Sequence, residues 1–199
     1  MQYDMRALFS FLFLVSAAGT CFGQANQTCQ HTGLITPVFN FSVDGFLGTW
    51  YGQKIYAGLA DNATPLEFRC LEVEFSRSNS AFFTLTAEER YISFDNGTDV
   101  SNAVTDYIHI SEKNDAVWNI VGVVDGELVE ADSVIVQTDY TNWVIEFGCS
   151  VRDNYRYENM HIWTRERVPD PEVMAILEIL VNNYGFPPAN ARTVDQTNC

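Results

Sequence analysis

Three histidines, a surplus of carboxylates, two lysines and five cysteines are the residues of this chain that could do chemistry. His31 lies in an N-terminal arm and reads as solvated. His109 sits in a strand pattern beside Tyr107, and its parity leaves the inward and outward readings open. His161 shares strand parity with Trp163 and Arg165, which points it toward the protein interior. A buried imidazole there suits a hydrogen-bonding contact to a bound molecule. Ligation of haem iron would be the sharper role, and nothing else in the chain points to iron. No serine sits in a nucleophile elbow, and Gly148-Cys149-Ser150 falls where a disulfide is expected. Glu72/Glu74 and Glu88/Glu89 read as solvated faces or rim residues rather than an acid–base dyad, because carboxylate pairs arise readily in a chain of net charge −15. The expectation is a protein that is not an enzyme and holds no metal.

The cysteines set the compartment. Arg6 precedes an apolar run, Ala7 to Ala18, that is too short to span a bilayer and ends in small residues. Cys21-Phe22-Gly23 then offers a cleavage site, so residues 1–23 read as a signal peptide and 24–199 as one mature domain. Asp4 and Arg6 leave together, and the net charge stays at −15. Such acidity disfavours nucleic acid and anionic membranes. With 47% hydrophobic and 14% aromatic residues, the chain is not of a disordered type. Cys29, Cys70, Cys149 and Cys199 remain, an even number in a secreted chain. Two disulfides follow, with three pairings open. Sequons at Asn26, Asn40, Asn62 and Asn96 fit an extracellular glycoprotein.

The elements that must position these residues are strands. Cys70–Ser76 alternates, with Leu71, Val73 and Phe75 on one face and Glu72 and Glu74 on the other. Further strands are expected at Thr49–Ala57, Ala81–Glu88, Val104–Ser111, Ala116–Val124, Ser133–Thr138, Trp143–Val151 and Tyr157–Arg165. Asn96-Gly97 and Asp125-Gly126 supply turns. Eight sequential antiparallel strands avoid exposed edges by closing into an up-and-down β-barrel. One α-helix follows: Asp170 caps it, Pro171 opens it, and Gly185 with Pro187 ends it. Val173, Ile176, Leu177, Leu180 and Tyr184 form its apolar stripe, which should pack on the barrel's outer wall. Met174 and Ile179 lie off that stripe.

Parity anchored on Phe75 and His161 places Leu71, Val73, Phe75, His161 and Trp163 in the lumen. Val134, Val136, Trp143, Ile145 and Phe147 are added as further lining. An apolar cup with few polar groups suits a small hydrophobic molecule. Lys54, on the first strand, would meet an acidic group of that ligand, or else snorkel to solvent.

Three fragments carry a resemblance: Gly48-Thr49-Trp50-Tyr51, Thr138-Asp139-Tyr140-Thr141-Asn142-Trp143 and Ile162-Trp163-Thr164-Arg165. In this order and spacing they resemble the three signature regions of the lipocalins. From Cys29 to Cys199 the chain is similar to apolipoprotein D and its arthropod relatives, the bilin-binding and Lazarillo-type proteins. Phe41–Tyr51 and the ending Thr193–Cys199 carry that likeness. The resemblance implies a secreted carrier of a bilin, carotenoid, retinoid, sterol or fatty acid. It implies disulfides Cys29–Cys149 and Cys70–Cys199, and structural roles for Gly48, Trp50, Thr138, Asp139, Tyr140 and Arg165. Biliverdin heads the chromophores, with Lys54, Arg69 and His161 as contacts for its propionates and pyrroles; a carotenoid is the other pigment. The alternative is an extracellular glycoprotein that works through its loops, with a second copy or a cell-surface receptor as partner.

Overall fold

In the computed structural model, which describes residues 29, 35–57, 68–95, 98–124, 127–152 and 155–199, eight strands run antiparallel in chain order. They are β1 (Gly48–Ala57), β2 (Phe68–Arg77), β3 (Leu85–Asp95), β4 (Thr98–Ser111), β5 (Asn114–Val124), β6 (Glu127–Thr138), β7 (Trp143–Arg152) and β8 (Tyr155–Thr164). Each pairs with the next. β1 also pairs with β8, which closes the sheet into an up-and-down barrel, the lipocalin fold that the resemblance implied. A helical turn, α1 (Val43–Phe46), precedes β1, and a helix, α2 (Pro171–Asn183), follows β8.

Strand placement departs from the sequence reading mainly at β3. The residues before Leu85 form a turn, with the Ser78 amide donating to the Thr84 carbonyl at 3.1 Å, and the strand runs on through the charged Glu88-Glu89-Arg90. That run stays in the strand because Arg90 pairs with Glu88 at 2.8 Å on the outer face, while Glu89 is buried. The start of β6, at Glu127–Asp132, was likewise not anticipated.

Two apolar clusters lie on opposite sides of the wall. One fills the interior around Trp50, Leu71, Phe75, Ile108, Trp118 and Trp163. The other lies outside, where Val134, Ile145, Phe147 and Met160 meet Leu177 and Val181 of α2. Asp170 caps α2 as expected, its Oδ1 accepting from the Glu172 amide at 2.8 Å. The contact stripe, however, is centred on Leu177, so Met174 joins it. Ile176 lies about 100° round the helix from that centre and is 59% exposed, as is Ile179 at 62%.

The C-terminal tail completes the wall. β1 pairs with β2 only from Gly48 to Tyr51. Beyond that point β9 (Ala191–Thr193) pairs with Lys54–Tyr56. Where the two strands part, the buried Gln196 amide donates to the carbonyls of Gly52 at 2.7 Å and Leu71 at 2.8 Å. The Cys70–Cys199 disulfide, with 5.4 Å between Cα atoms, fastens the tail there. Cys29–Cys149, at 5.8 Å, ties the N-terminal arm to β7.

Candidate functional site: the barrel interior and its closed end

The three signature fragments converge on one end. Gly48 enters β1 at φ +97°, where a side chain would be strained and would also crowd Arg165 Nη1. Trp50 is fully buried, and its indole donates to the Phe46 carbonyl at 2.9 Å. The Arg165 guanidinium lies 3.6 Å from the centre of the indole and donates to the carbonyls of Tyr140, Thr49, Phe46 and Leu47. Thr138 Oγ1 donates to the Trp143 carbonyl and accepts from the Tyr140 amide. Tyr140, at φ +66°, turns its hydroxyl to accept from the Ser42 amide. These groups tie α1, β1 and the β6–β7 turn together at one end of the barrel.

Asp139 organises the turn between β6 and β7. Its Oδ1 accepts from the amides of Thr141, Asn142 and Trp143 at 3.1, 2.7 and 3.0 Å. Burial opposes its ionisation, but the Asn142 side chain and these amides outweigh that and hold its pKa below the usual carboxylate value. Ionised Asp139 therefore contributes stability above its unfolded pKa of about 3.9, and that contribution is lost as pH falls through the lower folded value. Asp139→Asn is expected to melt below the wild type near neutral pH, with the gap closing progressively as pH falls below about 3.9, the unfolded value. Thermal melts across pH test this; a gap independent of pH would contradict it.

Above the closed end, the interior carries a polar line on β6, β7 and β8. Val144 and Trp163 belong to the interior cluster, so alternation turns Glu146 and His161 inward as well. Glu146 Oε1 accepts from Ser133 Oγ, and its Oε2 accepts from Trp163 Nε1 at 2.8 Å. His161 Nδ1 lies 3.8 Å from Glu146 Oε2, beyond hydrogen-bond length. The imidazole is only 3% exposed, and neither of its nitrogens has a partner. Asn159, two residues along the same face, holds a buried Oδ1 that also lacks one. Here the carboxylate stands between the serine and the histidine. A Ser–His–acid triad needs the histidine in the middle, whereas Ser133 here meets the Glu146 carboxylate and not the imidazole. Among the described residues no cluster of three His, Cys, Asp or Glu side chains could hold a metal ion.

Leu71, Val73, Phe75, His161 and Trp163 thus sit where strand parity put them. Val134, Val136, Ile145 and Phe147 do not: they face outward, beneath α2, and Trp143 packs against the same outer cluster. The cause is that the more apolar face of β6 and β7 is the outer one, under the helix, while the inner one carries Ser133 and Glu146, so choosing the inner face by hydrophobicity picks the wrong one. Lys54 is also outside. The register of β1 against β8 shifts between Gly52 and Lys54, and Lys54 Nζ meets Glu178 of α2 at 2.5 Å. Arg69 is engaged with Asp99 and with the carbonyls of Thr197 and Asn198. His109 is exposed on β4. Glu72 and Glu74 remain outside near Arg90 and Arg167, but Glu89 is interior, on the inward face between Ala87 and Tyr91. Glu146, Ser133 and Asn159 were missed; the signal for Glu146 was a lone carboxylate in an otherwise apolar strand. Asn40 is exposed, whereas His31, Asn26, Asn62, Asn96 and residues 1–23 lie outside the described residues.

The closed antiparallel barrel with a C-terminal helix defines a lipocalin-type fold. A solved structure described as the siderocalin Ex-FABP, which "functions through dual ligand specificities", matches it with a TM-score of 0.54 and 16% identity, covering 76% of this chain and 90% of that one. No family model and no curated protein matches the chain.

Proposed function

We propose that this chain is an exported lipocalin of the apolipoprotein D group that carries one small hydrophobic molecule in its barrel without transforming it. The observation that carries the reading is the interior itself: apolar side chains of β2 facing a buried imidazole whose two nitrogens have no protein partner. Unpaired buried polar atoms are costly, and a ligand that pairs them recovers that cost. Burying about 300 Å² of ligand at roughly 25 cal/mol per Å² gives about 7–8 kcal/mol before ordering costs, enough for micromolar binding. Two disulfides and the signal-like residues 1–23 support export, and the exposed Asn40 sequon supports glycosylation. No described helix is long and apolar enough to cross a membrane.

Titration with retinol, a fatty acid, a carotenoid and biliverdin tests the proposal. At least one should quench tryptophan fluorescence saturably, through the interior Trp118 and Trp163. A visible absorption band in protein from its natural source would identify a bilin or carotenoid as the cargo. Absence of saturable quenching by every ligand would overturn the carrier reading and favour a protein that works through its loops.

A further inference from the structure

We infer that the lumen selects an apolar molecule bearing an amine, held by Glu146, His161 and Asn159, rather than one bearing a carboxylate. The inference rests on the reading of the interior as a ligand site and names what that site recognises.

The polar atoms on this line are acceptors or can become so. Both Glu146 oxygens accept: the indole N–H of Trp163 can only donate, and Ser133 donates its hydroxyl proton. The unpartnered Asn159 Oδ1 is an acceptor. His161 turns Nδ1 toward the Glu146 carboxylate, 3.8 Å away. The tautomer with its proton on Nδ1 is favoured by that charge, which leaves Nε2 as a bare lone pair. An ammonium offers three N–H donors and a charge opposite to Glu146. A carboxylate would bring a second negative charge and no donor.

Two further acidic side chains lie inside. Glu89 and Asp106 are buried on the inward faces of β3 and β4. Among the described residues no lysine or arginine is fully buried. The cations that could have met a propionate or a fatty-acid head are held elsewhere, Lys54 by Glu178 outside the wall and Arg69 by Asp99 and the C-terminal tail.

Octylamine, octanol and octanoate, sharing one apolar frame, test this on the full chain near neutral pH by calorimetry and tryptophan quenching. Octylamine should bind at least about tenfold more tightly than either of the others, the scale of one charge-assisted hydrogen bond. Glu146→Gln should abolish that preference, bringing the octylamine-to-octanol affinity ratio to about one. His161→Leu should weaken octylamine more than octanol, and serves if Glu146→Gln does not fold. Equal affinities, tighter octanoate, or retinol binding with no binding of octylamine would each overturn the amine inference while the carrier reading stands. No binding of any ligand, retinol included, would overturn both.

Discussion

Trp50→Ala is expected to lower stability by roughly 3–5 kcal/mol, the cost of deleting a large buried aromatic. The indole is fully buried. It packs on Phe46 at 5.1 Å between ring centres, and Phe46 in turn meets Phe75 and Trp118 at the same distance. Its removal would also take away the surface on which Arg165 lies, loosening a side chain that gathers carbonyls from α1, β1 and the β6–β7 turn. The melting temperature should fall by roughly 6–20 °C for a domain of this size. An unchanged melting curve with lost ligand binding would make Trp50 a binding residue and contradict the closed-end role.

The second large effect belongs to the C-terminal tail. The Cys70–Cys199 bridge spans 129 residues. Constraint of so long a loop in the unfolded chain is worth about 5 kcal/mol by the chain-entropy account, less any native strain. Replacing both cysteines by serine should therefore destabilise the fold by roughly 3–5 kcal/mol. It should also free Gln196 from the carbonyls of Gly52 and Leu71, opening the wall where β1 and β2 part. Denaturant unfolding compares the variant with the parent. Equal midpoints, or peptide maps showing Cys29–Cys70 or Cys149–Cys199 linkage, would contradict the pairing.

What could be read in the sequence follows burial. β2 was legible because it has one wet face: Glu72 and Glu74 lie outside beside Arg90 and Arg167, while Leu71, Val73 and Phe75 fill the interior. β7 was not, because its more apolar face, with Ile145 and Phe147, packs outward under α2, while its inner face carries Val144 and the buried Glu146. The helix stripe implied that some strand must be apolar outside, but not which one. Lys54 went astray for a different reason: the shift in β1 after Gly52 breaks the period of two on which strand parity depends. The short β9 has no pattern of its own and is a strand only because β1 has parted from β2 there and leaves that edge open. The signature residues were legible because each answers a local demand: a positive φ at Gly48, amides for Asp139 to cap, and carbonyls for Arg165 to gather.

The chain has four tryptophans, and their indole N–H groups report from different sides of the wall. A two-dimensional 1H–15N spectrum recorded with and without a bound ligand, retinol or octylamine, therefore tests the central claim directly. The Trp163 signal, bonded to Glu146 beside His161, is expected to shift on saturation. The Trp143 signal, against the outer cluster, is expected to stay where it is. A ligand that moves Trp143 and leaves Trp163 unchanged would place the cargo outside the barrel and contradict the account.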